Sequence, residues 1–177
     1  MAGQRLTDKT ALEEQTGSGD LYMIVDVSDS SGSAAGTSKK LDSKFVLQTD
    51  KFSLDNSEIL ALETTPKTLV GALSGYMVTP NSATFLVTTA GSDESSNKNL
   101  IIGYDDSQDV IYWDFISRFF SNKTASATYM MSGGSNSSGV DAGSLINKPL
   151  KMWASSTGFN GGWSMDVYLT YCYTKIL

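Results

Sequence analysis

Apolar and polar residues are arranged most regularly near the N-terminus, between residues 21 and 28. In an extended chain, side chains alternate between two faces. One face of this run carries Leu21, Met23, Val25 and Val27. The other face is also apolar at Tyr22 and Ile24, so we expect a strand that is covered on both sides. A second short strand, predicted over 37–41, follows a Ser/Gly/Ala-rich connection and is placed to pair with the first strand in antiparallel fashion.

From residue 67 onward the pattern predicts short strands separated by polar, glycine-rich loops. The predicted strands cover 68–73, 84–89, 100–104, 110–115, 126–131, 150–154 and 165–173. The last one is the clearest, because its odd-numbered positions from Met165 to Tyr173 are apolar and its even-numbered positions are mostly polar. Seven short strands at this spacing predict a β-sandwich, jelly-roll-like in form.

The pattern between these two regions leaves the secondary structure open. Residues 45–47 fit either a short helix capped by Asp42 or a strand, and residues 57–63 pose the same choice. A further short helix is predicted over 10–15, with Thr10 as its N-cap and Glu13 at the capping-box spacing. We predict an all-β protein in two parts: an N-terminal anchoring module with its connector over 1–65, and a β-sandwich domain over 66–177.

Composition excludes several function classes. The 177 residues carry a net charge of −6, whereas a general nucleic-acid-binding protein carries a basic face. Cys172 is the one cysteine, so we expect neither an internal disulfide nor a cysteine-based zinc site. No apolar run approaches the roughly 18 residues of a membrane span, and the N-terminal residues lack the apolar core of a secretory signal. We therefore expect no membrane insertion and a soluble protein made in a cytoplasm.

Catalytic and cofactor motifs are few. The chain contains no histidine, which removes the Ser-His-Asp and Cys-His arrangements. The segment 32–39 differs from a phosphate-binding loop, because three residues separate its glycines and Lys39 does not directly follow the second glycine. The acidic clusters at 105–109 and at Asp26 and Asp29 are typical of turns, with a bound cation or a glycosidase carboxylate pair as the alternatives. We predict no enzymatic activity, no metal and no cofactor.

Three aromatic residues flank one glycine-rich loop near the C-terminus, namely Trp153, Phe159 and Trp163. Such rings can stack on sugars, so they are candidates for ligand contact. Aromatic residues are also enriched in cores and at subunit contacts, and this interpretation is favoured. The predicted strands at 100–104 and 110–115 have few polar positions on either face. An apolar outer face indicates burial against a second copy of the chain.

The N-terminal stretch contains Gly19-Asp20-Leu-Tyr-Met-Ile-Val-Asp26-Val-Ser-Asp29, followed by Gly36-Thr37-Ser38-Lys39-Lys40-Leu41. This pattern resembles a module near the N-terminus of bacteriophage virion surface proteins, such as tail fibres, head fibres and capsid decoration proteins. The end of the chain, a Gly-Gly turn before a long strand, resembles the closing hairpin of β-sandwich domains in phage surface proteins.

The resemblance implies a non-enzymatic structural protein of the virion, made in the cytoplasm of a bacterial host. It implies that the module docks on the particle through Asp20, Tyr22, Ile24, Asp26, Lys39 and Lys40. The implied partners are other copies in a homotrimer and a major capsid protein or a tail or adaptor protein. The short chain without a repetitive stalk favours capsid decoration or a head fibre. A tail fibre or a carbohydrate-recognising receptor-binding tip, with a host-surface glycan as partner, is the alternative, and a depolymerase is the third hypothesis.

Overall fold

The computed structural model describes residues 21–32, 34–104, 111–114, 119–121, 125–132, 142–155 and 158–176. Among the described residues, strands account for 54% and helices for 8%, which confirms the all-β class. The helix predicted over 10–15, the Asp20 side chain and the acidic cluster at 105–109 lie outside the described residues.

Ten strands, one α-helix and two 3-10 turns make up the described secondary structure. The strands are β1 (Leu21–Asp26), β2 (Thr37–Asp42), β3 (Gln48–Leu54), β4 (Lys67–Val70), β5 (Tyr76–Thr89), β6 (Leu100–Tyr104), β7 (Ile111–Asp114), β8 (Ala127–Ser132), β9 (Leu150–Ala154) and β10 (Trp163–Lys175). The helix is α1 (Asn56–Leu60), and the 3-10 turns are Ser43–Phe45 and Ala142–Ser144. All seven strands predicted beyond residue 67 are present, and so is the N-terminal pair.

Strands β3 to β10 form two antiparallel sheets of four strands each. Their orders are β3-β10-β5-β8 and β4-β9-β6-β7. The pairs β3 with β10, β4 with β9, β5 with β8 and β6 with β7 are nested within one another along the chain. Residues from both sheets contribute to one hydrophobic core, for example Val167 from the first sheet and Ile102 from the second. The arrangement is consistent with the predicted β-sandwich.

Strand β10 contributes five residues to this core through its alternating pattern. Its residues from Trp163 to Tyr171 alternate between buried and partly buried positions, as the sequence pattern predicted. The outer face of β3 and β10 carries polar contacts: Asp166 accepts a hydrogen bond from Ser53 at 2.6 Å and forms an ion pair with Lys51 at 2.8 Å. One face of the sheet therefore packs inside while the other contacts solvent.

Strand β5 is longer than the prediction of 84–89, because it begins at Tyr76. Its first half contains Pro80 and Asn81, which are typical of turns and concealed the strand in the sequence. In the register, Ser82 pairs with Thr170 and Pro80 pairs with Tyr171, so Asn81 is the extra residue of a bulge. A bulge accommodates a proline that cannot donate to the sheet.

The segment that was predicted to connect the N-terminal module to the sandwich contains parts of the sandwich. β3 pairs with β10 along Gln48–Leu54, so the first sheet begins well before the predicted boundary at residue 66. For 57–63 the sequence left a helix and a strand open, and the structure has a helix there, α1, which ends at Leu60. Asp55 caps α1 by accepting a hydrogen bond from the backbone N–H of Glu58 at 2.9 Å, and Glu58 accepts one from the N–H of Asp55 at 3.1 Å.

The argument that an apolar outer face of 100–104 needs a second copy is wrong. All five residues of β6 are buried within a single chain, and Ile101 is only 4% exposed although it is outside the main core cluster. Its register partner on β9, Trp153, is 2% exposed. The outer face of β6 is thus covered without another subunit. The same prediction for 110–115 is not tested, because Trp113 is the one described side chain in that range, and the homotrimer stays an implication of the resemblance.

Candidate functional site

The N-terminal hairpin is the part of the described chain that leaves the most apolar surface uncovered. β1 and β2 form a two-stranded sheet of their own, with Leu21 opposite Asp42 and Asp26 opposite Thr37. Residues that are opposite each other in an antiparallel pair point to the same face. Two faces result. The first carries Leu21, Met23, Val25, Ser38, Lys40 and Asp42, and the second carries Tyr22, Ile24, Asp26, Thr37, Lys39 and Leu41.

The first face is an exposed apolar stripe, formed by Leu21, Met23 and Val25. These side chains are 57%, 66% and 58% exposed, and Val27, just beyond the strand, is 79% exposed. Single exposed apolar residues are ordinary, but a contiguous row on one strand is typical of a surface that contacts another molecule. We refer to Leu21, Met23 and Val25 as the apolar stripe.

Charged residues fix the turn end of the hairpin. The ammonium group of Lys39 contacts Asp26 Oδ2 at 3.0 Å and Asp29 Oδ2 at 2.8 Å. Ser28 donates to Asp26 through its N–H at 3.0 Å and through its hydroxyl at 2.6 Å. Hydrogen bonds from Ser28 and Lys39 lower the pKa of Asp26 to about 2, and those from Lys39 and Ser31 lower the pKa of Asp29 to about 2. Both carboxylates are ionised at neutral pH.

Glycine is required at residue 36, where the chain enters β2. Gly36 has a φ of +107°, and a Cβ atom there would lie 2.7 Å from the carbonyl oxygen of Asp26 and 2.9 Å from Cγ1 of Val25. The same turn is closed by the hydroxyl of Thr37, which donates to the carbonyl oxygen of Asp29 at 2.8 Å. The connection between the strands is therefore ordered by specific contacts.

The other end of the hairpin leads directly into the sandwich. Asp42 caps the 3-10 turn Ser43–Phe45 and forms an ion pair with Lys44 at 2.8 Å. The ring of Phe45 packs against that of Tyr76 at the start of β5, with 5.1 Å between ring centroids. The buried Ser43 follows the last residue of β2. These contacts attach the base of the hairpin to the β-domain.

The structure divides the predicted anchoring residues between the two faces. Tyr22, Ile24, Asp26 and Lys39 share the second face, and Lys40 lies on the first, opposite Met23. The sequence pattern places the apolar stripe on one face of a strand, as the structure does, but it predicted that this face would be covered by another part of the protein. The sequence does not show how many strands lie beside a given strand. A two-stranded hairpin is too small to cover its own apolar face, so that face stays exposed unless another element packs on it.

Trp153, Phe159 and Trp163 are core residues, as the favoured interpretation of the sequence stated. They are 2%, 4% and 0% exposed. Phe159 and Phe120 pack on the ring of Trp163, with centroid distances of 5.1 and 5.3 Å. Buried ring faces offer no platform for a sugar, so the structure does not support ligand contact at these three residues.

Glu94 is a buried, hydrogen-bonded carboxylate that no sequence pattern indicates. Its carboxylate is fully buried and accepts hydrogen bonds from the N–H groups of Ser96, Asn160 and Gly161 at 2.8, 3.0 and 2.9 Å. The indole N–H of Trp163 donates a further one at 3.0 Å. Burial raises the pKa of Glu94, but the hydrogen bonds from Ser96, Trp163 and Gly161 outweigh it, so the pKa lies below its ordinary value. Glu94 joins two loops and has no capacity left for a ligand.

Among the described residues, no group of three or more His, Cys, Asp or Glu side chains is placed to hold a metal ion. No helix in the described part of the chain is long and apolar enough to cross a membrane. Comparisons with protein-family models, curated proteins and solved structures find no match for the chain.

Proposed function

We propose that the chain is a non-enzymatic structural protein of a bacteriophage particle surface, a capsid decoration or head-fibre protein. It docks on the particle through the N-terminal hairpin and exposes the β-domain. The observation that carries the proposal is the apolar stripe of Leu21, Met23 and Val25, which is exposed on a sheet that has two strands among the described residues. Such a hairpin is marginally stable in water without a covering layer, and docking supplies that layer.

The strand order supports a virion role for the β-domain. We infer that the sandwich is a jelly roll, because its eight strands form four nested pairs, from the outermost β3 with β10 to the innermost β6 with β7. Folding a long hairpin into two four-stranded sheets produces this nesting. Double-sheet jelly rolls of eight strands recur in viral capsid and lectin domains.

The charged residues beside the apolar stripe indicate which surface a docking partner must present. Lys40 is exposed on the same face, opposite Met23, and makes no ion pair within the described residues. Lys39, on the other face, is already neutralised by Asp26 and Asp29. The complementary surface is therefore an apolar patch with a carboxylate at its rim. A major capsid protein or a tail or adaptor protein would supply it.

The first experiment locates the protein on the particle. Mass spectrometry detects the chain in purified particles of the bacteriophage that encodes it, and immunogold electron microscopy shows where it lies. Label on the capsid supports decoration or a head fibre. Label on the tail supports the alternative, a tail fibre or receptor-binding tip. Particles without the chain would refute both.

The second experiment tests the hairpin. Met23→Glu places a charge in the apolar stripe, and we expect binding of the purified variant to particles lacking the chain to fall at least about tenfold, because the charge would be desolvated on docking. Leu60→Glu, at a 43% exposed position on α1, is the matched control and should bind like the natural chain. Circular dichroism verifies that both variants are folded. Unchanged binding by Met23→Glu would exclude the stripe as the docking surface.

A further inference from the structure

The four edges of the two sheets differ in how they are protected. An exposed edge strand tends to pair with another chain, and proteins usually prevent this with short strands, charged side chains, proline or bulges. In the described part of the chain, the edge strands are β3 and β8 in the first sheet and β4 and β7 in the second. Three of them carry such features.

The protected edges are easy to identify. β4 and β7 have only four residues each, and the pairing of each with its neighbour includes a register shift. β3 is longer but carries two charges. Its Asp50 points inward, where it accepts a hydrogen bond from the hydroxyl of Tyr171 at 2.6 Å, and its Lys51 points outward. A strand of another chain that paired with β3 would have to accommodate both of these charges.

β8 lacks all of these features. It has six residues, without charge, without proline and without a register shift against β5. Residues 124–140 of the sequence, which contain the whole strand, carry no charged side chain. Met130, at its outer face, is 80% exposed, more than any other large apolar side chain in the described chain.

We propose that β8 pairs in antiparallel fashion with β8 of a second copy of the chain, around a two-fold axis at Met130. Opposite residues in an antiparallel pair share a face, so the register places Met130 against Met130 of the partner subunit and Thr128 against Ser132 of the partner subunit. On the inner face, Tyr129 lies against Met131 of the partner subunit. Met130 then packs side by side with Met130 of the partner subunit, and the two sheets join into one sheet of eight strands.

Charge distribution favours a second copy as the occupant. The chain has a net charge of −6, which opposes self-association at most surfaces. The outward positions of β5 and β8 carry only Ser, Thr, Leu and Met, however, and the ion pair between Lys51 and Asp166 lies on the two strands farthest from the β8 edge. The half of the sheet next to β8 is therefore the place where two copies meet without repulsion.

Solution mass is the first test. Light scattering on the purified full-length chain is expected to give twice the mass of one chain. A monomer at high micromolar concentration would overturn the proposal, and so would the trimer that the phage resemblance implies. The outcome is separate from particle docking, because the hairpin and the β8 edge lie in different sheets.

Charge variants test the edge itself. Met130→Lys should yield monomers, because two lysines would face each other at the axis, and Met130→Glu should do the same. Mixing the two variants should restore a dimer of one copy of each. Thr88→Lys, an exposed position on β5, is the control and should stay dimeric. Dimers of Met130→Lys alone, or no dimer in the mixture, would refute pairing at this edge.

Cysteine cross-linking tests the register. In a Cys172→Ser background, Met130→Cys should form an intermolecular disulfide under mild oxidation. Thr128→Cys alone should not, whereas Thr128→Cys mixed with Ser132→Cys should. A dimer that does not cross-link through Met130→Cys would show that the copies meet elsewhere or in another register.

Discussion

Lys39 is the residue that holds the turn of the hairpin together. Its ammonium group lies between Asp26 and Asp29, and the contacts raise the pKa of Lys39. Ser28 and Ser31 complete the cluster with hydrogen bonds to the two carboxylates. A single exposed ion pair stabilises a protein very little, but one cation shared by two hydrogen-bonded carboxylates restricts the loop on both sides. The cluster therefore ties Lys39 on β2 to both Asp26 at the end of β1 and Asp29 in the turn.

The pH dependence of this cluster follows from the direction of the shifts. Because the pKa of Asp26 and of Asp29 is lowered in the folded chain, their contribution to stability is complete above the ordinary value of 3.8 and is lost as the pH falls from about 4 towards 2. In Lys39→Gln, we expect both pKa values to rise, measured by NMR titration of the carboxyl carbons. Asp29 should move further, because Lys39 is its largest cause whereas Ser28 is the largest for Asp26.

Lys44→Gln is the control for that titration. Lys44 pairs with Asp42, at the base of the hairpin, so its replacement should leave Asp26 and Asp29 near a pKa of 2. Ordinary values for both carboxyls in the natural chain would show that the cluster does not form in solution.

At the scale of elements, α1 is too short to be stable alone and depends on its attachments. Its first residue, Asn56, donates from its side-chain amide to the carbonyl oxygens of Gly161 at 2.8 Å and Trp163 at 3.1 Å. Ile59 is completely buried. The helix therefore fastens the stretch after β3 to the start of β10.

Asn56→Ala is expected to lower the free energy of unfolding by about 1–3 kcal/mol, because two carbonyl oxygens lose their donor. Asn56→Asp keeps the size of the side chain and adds a charge that favours a helix N-terminus, yet it removes the donor. We expect Asn56→Asp to be at least as destabilising as Asn56→Ala in urea unfolding. A stabilising effect of the aspartate would mean that helix propensity outweighs the attachment to β10.

At the scale of the whole molecule, Trp163 connects the core to the loops at one end. Its ring lies within an aromatic cluster with Phe119, Phe120 and Phe159, and its N–H bonds to Glu94. Trp163→Ala should lower the free energy of unfolding by about 3–5 kcal/mol, measured by urea unfolding. Trp163→Phe keeps most of the ring contacts and should cost less. Equal losses in both variants would assign the effect to the hydrogen bond with Glu94.

That prediction changes how glycan binding should be tested. A loss of binding in Trp163→Ala would reflect damage to the core and not the removal of a sugar-stacking ring.

Sequence patterns predicted the strands whose inward positions are all apolar, β10 above all. β3 stayed ambiguous because two of its inward positions are Gln48 and Asp50, which hydrophobic periodicity does not recognise as core. The first half of β5 was missed because Pro80 and Asn81 are typical of turns. Glu94 carries no local signal at all, since its partners at 160–163 are brought to it only by the fold.

The hairpin was predicted as a pair of strands, and the contents of its faces followed from alternation. Its exposure did not follow, because a sequence does not state how many strands will flank a given strand. Leu21, Met23 and Val25 have the composition of a core face, and it takes the structure to show that no other strand or helix of the described residues covers them.

The nested pairing has a consequence for the time course of folding. Thr49 on β3 contacts Thr170 on β10, 121 positions later, so the first sheet cannot close until almost the whole chain has left the ribosome. Contacts between such distant positions make folding slow, on the order of milliseconds to seconds, whereas a hairpin forms in roughly 1–10 μs. The N-terminal hairpin, which is marginally stable alone, can therefore form and open many times before the domain behind it closes, and a nascent chain presents the residues of the apolar stripe first.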